Sequence, residues 1–195
     1  MRNLFLALII AFFSCHIFAE SIEIDPDNLF PKVKFETSKG VIIVELDRIK
    51  APLTVNNFLT YVVEGEFNNT IFHRVIGDFI AQGGGYDKDF NMRKVKADIV
   101  NESGNGLKNE EGTIAMAKES QPHTANRQFF FNLADNTNLD PGRGWGYTVF
   151  GEIVDGLEVM HAIGSVETDY DDNMGWDDVP KEPIILTKVT LLPVE

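Results

Sequence analysis

The sequence predicts a mainly β fold: a closed eight-stranded antiparallel β-barrel with two α-helices covering its ends. Two observations carry this. About eight short segments are rich in β-branched and aromatic residues and are bounded by turn formers. Only two stretches, Ala51 to Gly65 and Gly156 to Ile163, have helical spacing, and many short strands with few helices point to a barrel. The chain has 195 residues, 44% hydrophobic and 24% charged. That suffices for one domain with a sizeable core, and no internal repeat divides it.

The elements follow in chain order. Lys32 to Thr37 alternates, with Val33 and Phe35 on one face. Ser38-Lys39-Gly40 is a hairpin loop, and Val41 to Leu46 returns as a strand. Its continuous apolar run predicts burial on both sides or a sheet–helix contact. In the first helix Pro52 suits the opening turn and Gly65 the stop, while Val55, Phe58, Leu59 and Val62 form one stripe. Ile71 to Ile76 is a strand whose alternation puts Phe72, Arg74 and Ile76 on one face. Gly83-Gly84-Gly85 marks a turn or a close approach of backbone.

Tyr86 to Glu111 is charged and Gly/Asn-rich, a long surface excursion with at most one short strand. Gly112 to Ala117 and Gln128 to Leu133 are strands. In the second, parity sends Phe129, Phe131 and Leu133 to the core and Gln128, Phe130 and Asn132 to the other side. Tyr147 to Val154 is a further strand. The short helix that follows should turn Leu157, Met160 and Ile163 inward, and Ile184 to Leu192 is the last strand.

The first nineteen residues stand apart. Arg2 supplies a positive start, and Leu4 to Phe13 is an apolar run of signal-peptide length, short for a membrane span. Residues 1–19 are read as a signal peptide cleaved before Glu20, 20–31 as a loose lead-in, and 32–195 as the domain. The only cysteine, Cys15, would leave with the signal; a lipoprotein acylated there is the lesser reading. The expected location is the periplasm, as a monomer with no stable membrane association. Thirty acidic against seventeen basic residues give a net charge of −13. Such a surface repels phosphate backbones and argues against nucleic acid.

The chemistry concentrates in two stretches. Ile71 to Gly85 offers an arginine between large apolar neighbours, an amide at Gln82 and the apolar pair Phe79-Ile80. Gly112 to Leu133 has matching character, with an amide beside an aromatic ring. Together they describe a recognition groove. His73, His123 and His161 match no metal spacing. The acid-rich run Glu167 to Asp178 fails as a calcium loop: from Asp169, the sixth position holds Met174 and the twelfth Pro180. It is read as a solvated acidic loop, and no cofactor or metal is expected.

The runs FHRVIGDFIAQGG (72–84), GTIAMA (112–117), QFFFNLADN (128–136), YTVFGEIVDGLEVM (147–160) and DVPKEPIIL (178–186) resemble the cyclophilins, peptidyl-prolyl cis-trans isomerases, in order and spacing. With the signal segment, they look like the bacterial periplasmic branch. The resemblance implies that Arg74 is the catalytic arginine. It implies that Phe79, Met116 and Phe130 form the pocket for the prolyl ring, and that Gln82 and Gln128 bond the peptide backbone or the arginine. Leu139 and Tyr147 would close the far side. The implied partners are proline-containing segments of unfolded or flexible proteins. A chaperone that binds peptide without turnover is the alternative. The chain departs from the family pattern at Gly77-Asp78, Lys118, Asn138 and Tyr147, positions that bear on sequence preference and leave the arginine intact.

Overall fold

The computed structural model describes residues 24–194 apart from Asn173. The signal segment, Cys15 and the first residues of the lead-in lie outside the described residues. The strands are β1 (Lys32–Thr37), β2 (Gly40–Leu46), β3 (Thr70–Ile76), β4 (Ile80–Asp87), β5 (Thr113–Met116), β6 (Phe129–Asn132), β7 (Val149–Asp155), β8 (Thr168–Asp171), β9 (Trp176–Pro180) and β10 (Ile184–Leu191). Helix α1 is Pro52–Val63 and α2 is Leu157–Gly164. Strands β1, β10, β3, β4, β6, β5, β7 and β2 are neighbours in that order, and β2 pairs back to β1. The result is the expected closed eight-stranded antiparallel barrel.

Aromatic residues fill its interior. Phe35 of β1 meets Phe131 of β6 edge-on at 5.4 Å, and Phe58 of α1 lies 5.0 Å from Phe67 and 5.2 Å from Phe150. Such pairs contribute about 0.5–1.5 kcal/mol each beyond the area they bury. The predicted stripe of α1 is wholly buried. Its N-terminus has no side-chain cap of its own, since Ala51 stands there. Glu102 serves instead, accepting bonds from the N–H groups of Leu53 (3.1 Å) and Thr54 (2.8 Å) and from the Thr54 hydroxyl (2.7 Å). A carboxylate at a helix N-terminus also meets the positive end of the dipole. The long excursion is thereby tied to the barrel, though beyond the end of β4 at Asp87 it contains only isolated bridges and a 3-10 turn at Ser103–Asn105.

Four expectations change. Of the two readings of β2, burial on both faces fails, since Ile42, Val44 and Leu46 point inward and Val41 is exposed, while the sheet–helix contact holds, with Val159 of α2 over Gly40. Leu157 is also exposed; its Cδ1 covers Gly112, 3.4 Å from where a Cβ would stand, while Met160 and Ile163 enter the core. Phe72 and Arg74 do not share a face. The register pairs Phe72 with Gly83 but Arg74 with Gln82, so His73 is the extra residue of a bulge. Phe72 and Val75 both reach the core, which strict alternation forbids.

The fourth change concerns the acidic run. Glu167 to Asp178 contains most of a hairpin, β8 paired with β9. What orders so acidic a segment is Trp176. Its ring lies 4.9 Å from Tyr86, 5.9 Å from His73 and 6.3 Å from Phe90.

Candidate functional site

The site is a row across the outer wall of the barrel. Register places Arg74 of β3 beside Gln82 of β4, Gln82 beside Phe130 of β6, Phe130 beside Ala115 of β5, and Ala115 beside Val149 of β7. Directly opposed residues on antiparallel strands share a face. The row therefore reads charge, amide, aromatic ring, methyl and branched chain at strand spacings of about 4.8 Å.

The apolar half is a compact cluster separate from the barrel interior. Ile80, Ala115, Phe130 and Val149 are buried in it, with Phe79, Leu107, Ala117, Leu139 and Tyr147 packed against them. Phe130 meets Tyr147 edge-on at 5.5 Å. Tyr147 donates its backbone N–H to the Leu139 carbonyl at 2.9 Å, which keeps these two residues together. Phe79 is pinned from behind: its carbonyl accepts from the Asn136 amide and from the Leu133 N–H, both at 2.8 Å. Lys118 lies 4.8 Å over the Tyr147 ring, a cation–π contact at the rim.

The polar half centres on two glutamines. Gln82 donates Nε2 to Gln128 Oε1 at 2.9 Å. The pair stands between a cavity of about 420 Å³ that takes in Arg74, Tyr86, Trp176 and Asp178, and one of about 220 Å³ bordered by Lys118 and Asn126. A Cβ on Gly85 would lie 2.7 Å from Gln128 Cδ. The glycines are thus a close approach inside β4, not a turn. Gln82 makes no hydrogen bond to Arg74, one of its two expected partners; its amide N–H goes to Gln128. Arg74 is half-exposed, and its Nε lies 3.5 Å from Asp178 Oδ2.

Beside the arginine, His73 is buried and its pKa is lowered to about 4. Burial is the main cause and the Arg74 charge the second, with a backbone bond at Ile71 opposing. His73 is neutral at physiological pH and offers no titrating group there.

Most of the expected site residues converge. Arg74, Gln82 and Gln128 border one cavity, and Phe79, Phe130, Leu139 and Tyr147 share one cluster. Met116 does not join them: it is buried in the barrel interior. It sits opposite Phe129, which faces inward, whereas Ala115 sits opposite Phe130, which faces outward. Parity within QFFFNL, extended one strand over, would have made this choice. The same logic selects Ile80, which lies two residues from Gln82 on β4 and belongs to the outer cluster. Asp178 and Trp176 gave no comparable sequence signal, because nothing local brings the hairpin to β3.

Comparison with known proteins agrees with this architecture. The family model described as cyclophilin type peptidyl-prolyl cis-trans isomerase matches residues 32–191. Peptidyl-prolyl cis-trans isomerase B of Escherichia coli K12 is 47% identical over 163 residues, 82% of this chain and 98% of the relative. Peptidyl-prolyl cis-trans isomerase A of Dickeya dadantii is 44% identical over 162 residues, 82% of this chain and 84% of the relative. A Cryptosporidium parvum cyclophilin-type isomerase, crystallised in the presence of the dipeptide Ala-Pro, matches with a TM-score of 0.68. Its sequence identity is 26%, over 84% of this chain and 99% of that one. With the family match spanning the whole barrel and relatives near half identity over most of their length, the chain belongs to the cyclophilin-type peptidyl-prolyl cis-trans isomerases.

Proposed function

We propose that the row from Arg74 to Val149 is where this isomerase turns X-Pro bonds, and that its clients are exported proteins. The single observation behind the site assignment is the juxtaposition itself: a guanidinium, then an amide, then a buried apolar cluster, on one face of one sheet.

The reaction is rotation about a peptide bond whose barrier is about 18–20 kcal/mol from amide resonance. No bond is broken, so neither nucleophile nor metal is needed. The catalyst must bind the twisted amide better than either planar isomer. In the twisted state the prolyl nitrogen regains its lone pair and accepts a hydrogen bond. Arg74 supplies the donor, with a planar fork of N–H groups. Phe79, Ile80 and Phe130 hold the prolyl ring and lower the local dielectric, which strengthens that bond. Gln82 and Gln128, bonded to each other at rest, bind the peptide backbone beside it. The Ala-Pro dipeptide present with the Cryptosporidium relative is of the ligand class this arrangement fits. Leu139 and Tyr147 close the apolar end.

The export reading rests on Arg2, the apolar run Leu4 to Phe13 and the small residue Ala19 before Glu20. The location is the periplasm, and the expected mature product begins at Glu20, without Cys15. Mass spectrometry of the native protein checks this; an acylated Cys15 at the N-terminus overturns it. The function is tested by a proline-isomerisation assay of the chain from Glu20 on a short X-Pro peptide. Binding of that peptide without acceleration would favour the chaperone reading.

A further inference from the structure

Arg74 needs something to aim it: no hydrogen bond to Gln82 holds its guanidinium, and Gln82 donates to Gln128 instead. Among the described residues its one charged partner is Asp178, with Oδ2 3.5 Å from Nε. Asp178 stands on β9, not on the barrel, and reaches Arg74 only because the β8–β9 hairpin lies against β3. Trp176, two residues earlier, holds the hairpin there through Tyr86 and His73. Asp178 itself has φ +62. Non-glycine residues adopt that left-handed region at a cost, and Asp and Asn bear it best.

We infer that Asp178 is a positioning residue for the isomerisation. Its carboxylate lies beside the Nε edge of the guanidinium. A half-exposed arginine otherwise samples many rotamers, and each must be given up when the twisted amide forms. A carboxylate beside Nε pre-selects the productive set. This inference rests on the assignment of Arg74 as the donor.

The test is a cycle of wild type, Asp178→Asn, Arg74→Ala and the double variant, assayed on one X-Pro peptide with kcat and KM separated. Asparagine keeps the shape and tolerates φ +62, so the hairpin is preserved. Asp178→Asn should lower kcat roughly three- to fivefold, the scale of a partly exposed ion pair, with KM little changed. In the Arg74→Ala background it should add nothing. Equal losses in both backgrounds would mean that Asp178 serves only the hairpin, and no loss in either would mean that it aims nothing. A second readout is independent of turnover. The Arg74 Nε–H resonance should be slow to exchange in the wild type and motionally averaged in Asp178→Asn; an unchanged resonance overturns the inference. If the wild type shows no isomerase activity, the function itself has failed, while the resonance still reports on the pair.

Discussion

The two sides of Gln82 are built by different physics. Toward β7 lie Ile80, Ala115, Phe130 and Val149, all buried and fixed by barrel register. Toward β9 lie Arg74 and Asp178, whose side chains retain 42% and 34% of their exposure. The first side is held by burial and cannot move without breaching the sheet. The second is held by a half-exposed ion pair and by one tryptophan on a hairpin outside the barrel. A rigid apolar surface suits ground-state binding of a prolyl ring. A charged donor aimed by Asp178 suits an interaction made only when the amide twists. The division implies that binding and turnover can be damaged separately.

The largest expected effect is on the charged side. Arg74→Ala should lower kcat/KM by on the order of 10²–10³, as for removal of one preorganised donor, with peptide binding nearly intact. Parallel kinetics and binding on one peptide check this, and an Ala variant with full activity would sink the assignment. On the apolar side, Phe130→Ala should do the reverse. It should raise KM more than it lowers kcat and cost about 3 kcal/mol of stability, because it hollows a packed cluster. Urea unfolding supplies the stability figure; a pure kcat defect would erase the contrast.

His73 lies under the charged side and ties it to pH. Its pKa is about 4 in the fold against an ordinary 6.5. The unfolded chain therefore binds the proton first as pH falls. The stability from neutral His73 is complete above 6.5 and is lost progressively toward 4, roughly 3 kcal/mol in all. Unfolding curves at several pH values should show a shallower slope for His73→Phe than for wild type. Equal slopes would refute the burial argument. Activity should stay flat from about pH 6 to 9, since buried His73, with its pKa near 4, takes up no proton there and bond rotation needs no general acid or base.

The smallest effect lies on the boundary. Gly85→Ala would place a methyl 2.7 Å from Gln128 Cδ and push that amide away from Gln82. The side chain can swing, so the stability cost should stay below about 1 kcal/mol while KM rises a few-fold. A variant unchanged in KM would show that the Gln82–Gln128 bond is incidental.

The residue pattern by itself determined much of this protein. Period-two alternation and the stripe of Val55, Phe58, Leu59 and Val62 follow from which side chains must leave water, and that is a local property. It located the barrel strands, both helices and the split of QFFFNL into core and groove faces. Gln128 and Phe130 were legible for the same reason, on the face opposite the core, whereas Arg74 and Gln82 stood out only as a charge and an amide in an apolar stretch, and alternation put Arg74 beside Phe72, a facing the bulge overturns. Met116 was misplaced because its facing depends on the partner across the ladder, Phe129, and not on its own strand. The bulge at His73 is likewise a matter of how many residues of β3 oppose those of β4. The hairpin was missed because its cohesion lies outside itself. An acid-rich segment has too little apolar surface to order alone, and only tertiary structure brings Trp176 to Tyr86 and Asp178 to Arg74. Contacts between residues about a hundred positions apart leave no period in a sequence, and there the fold alone decided which charge would face the arginine.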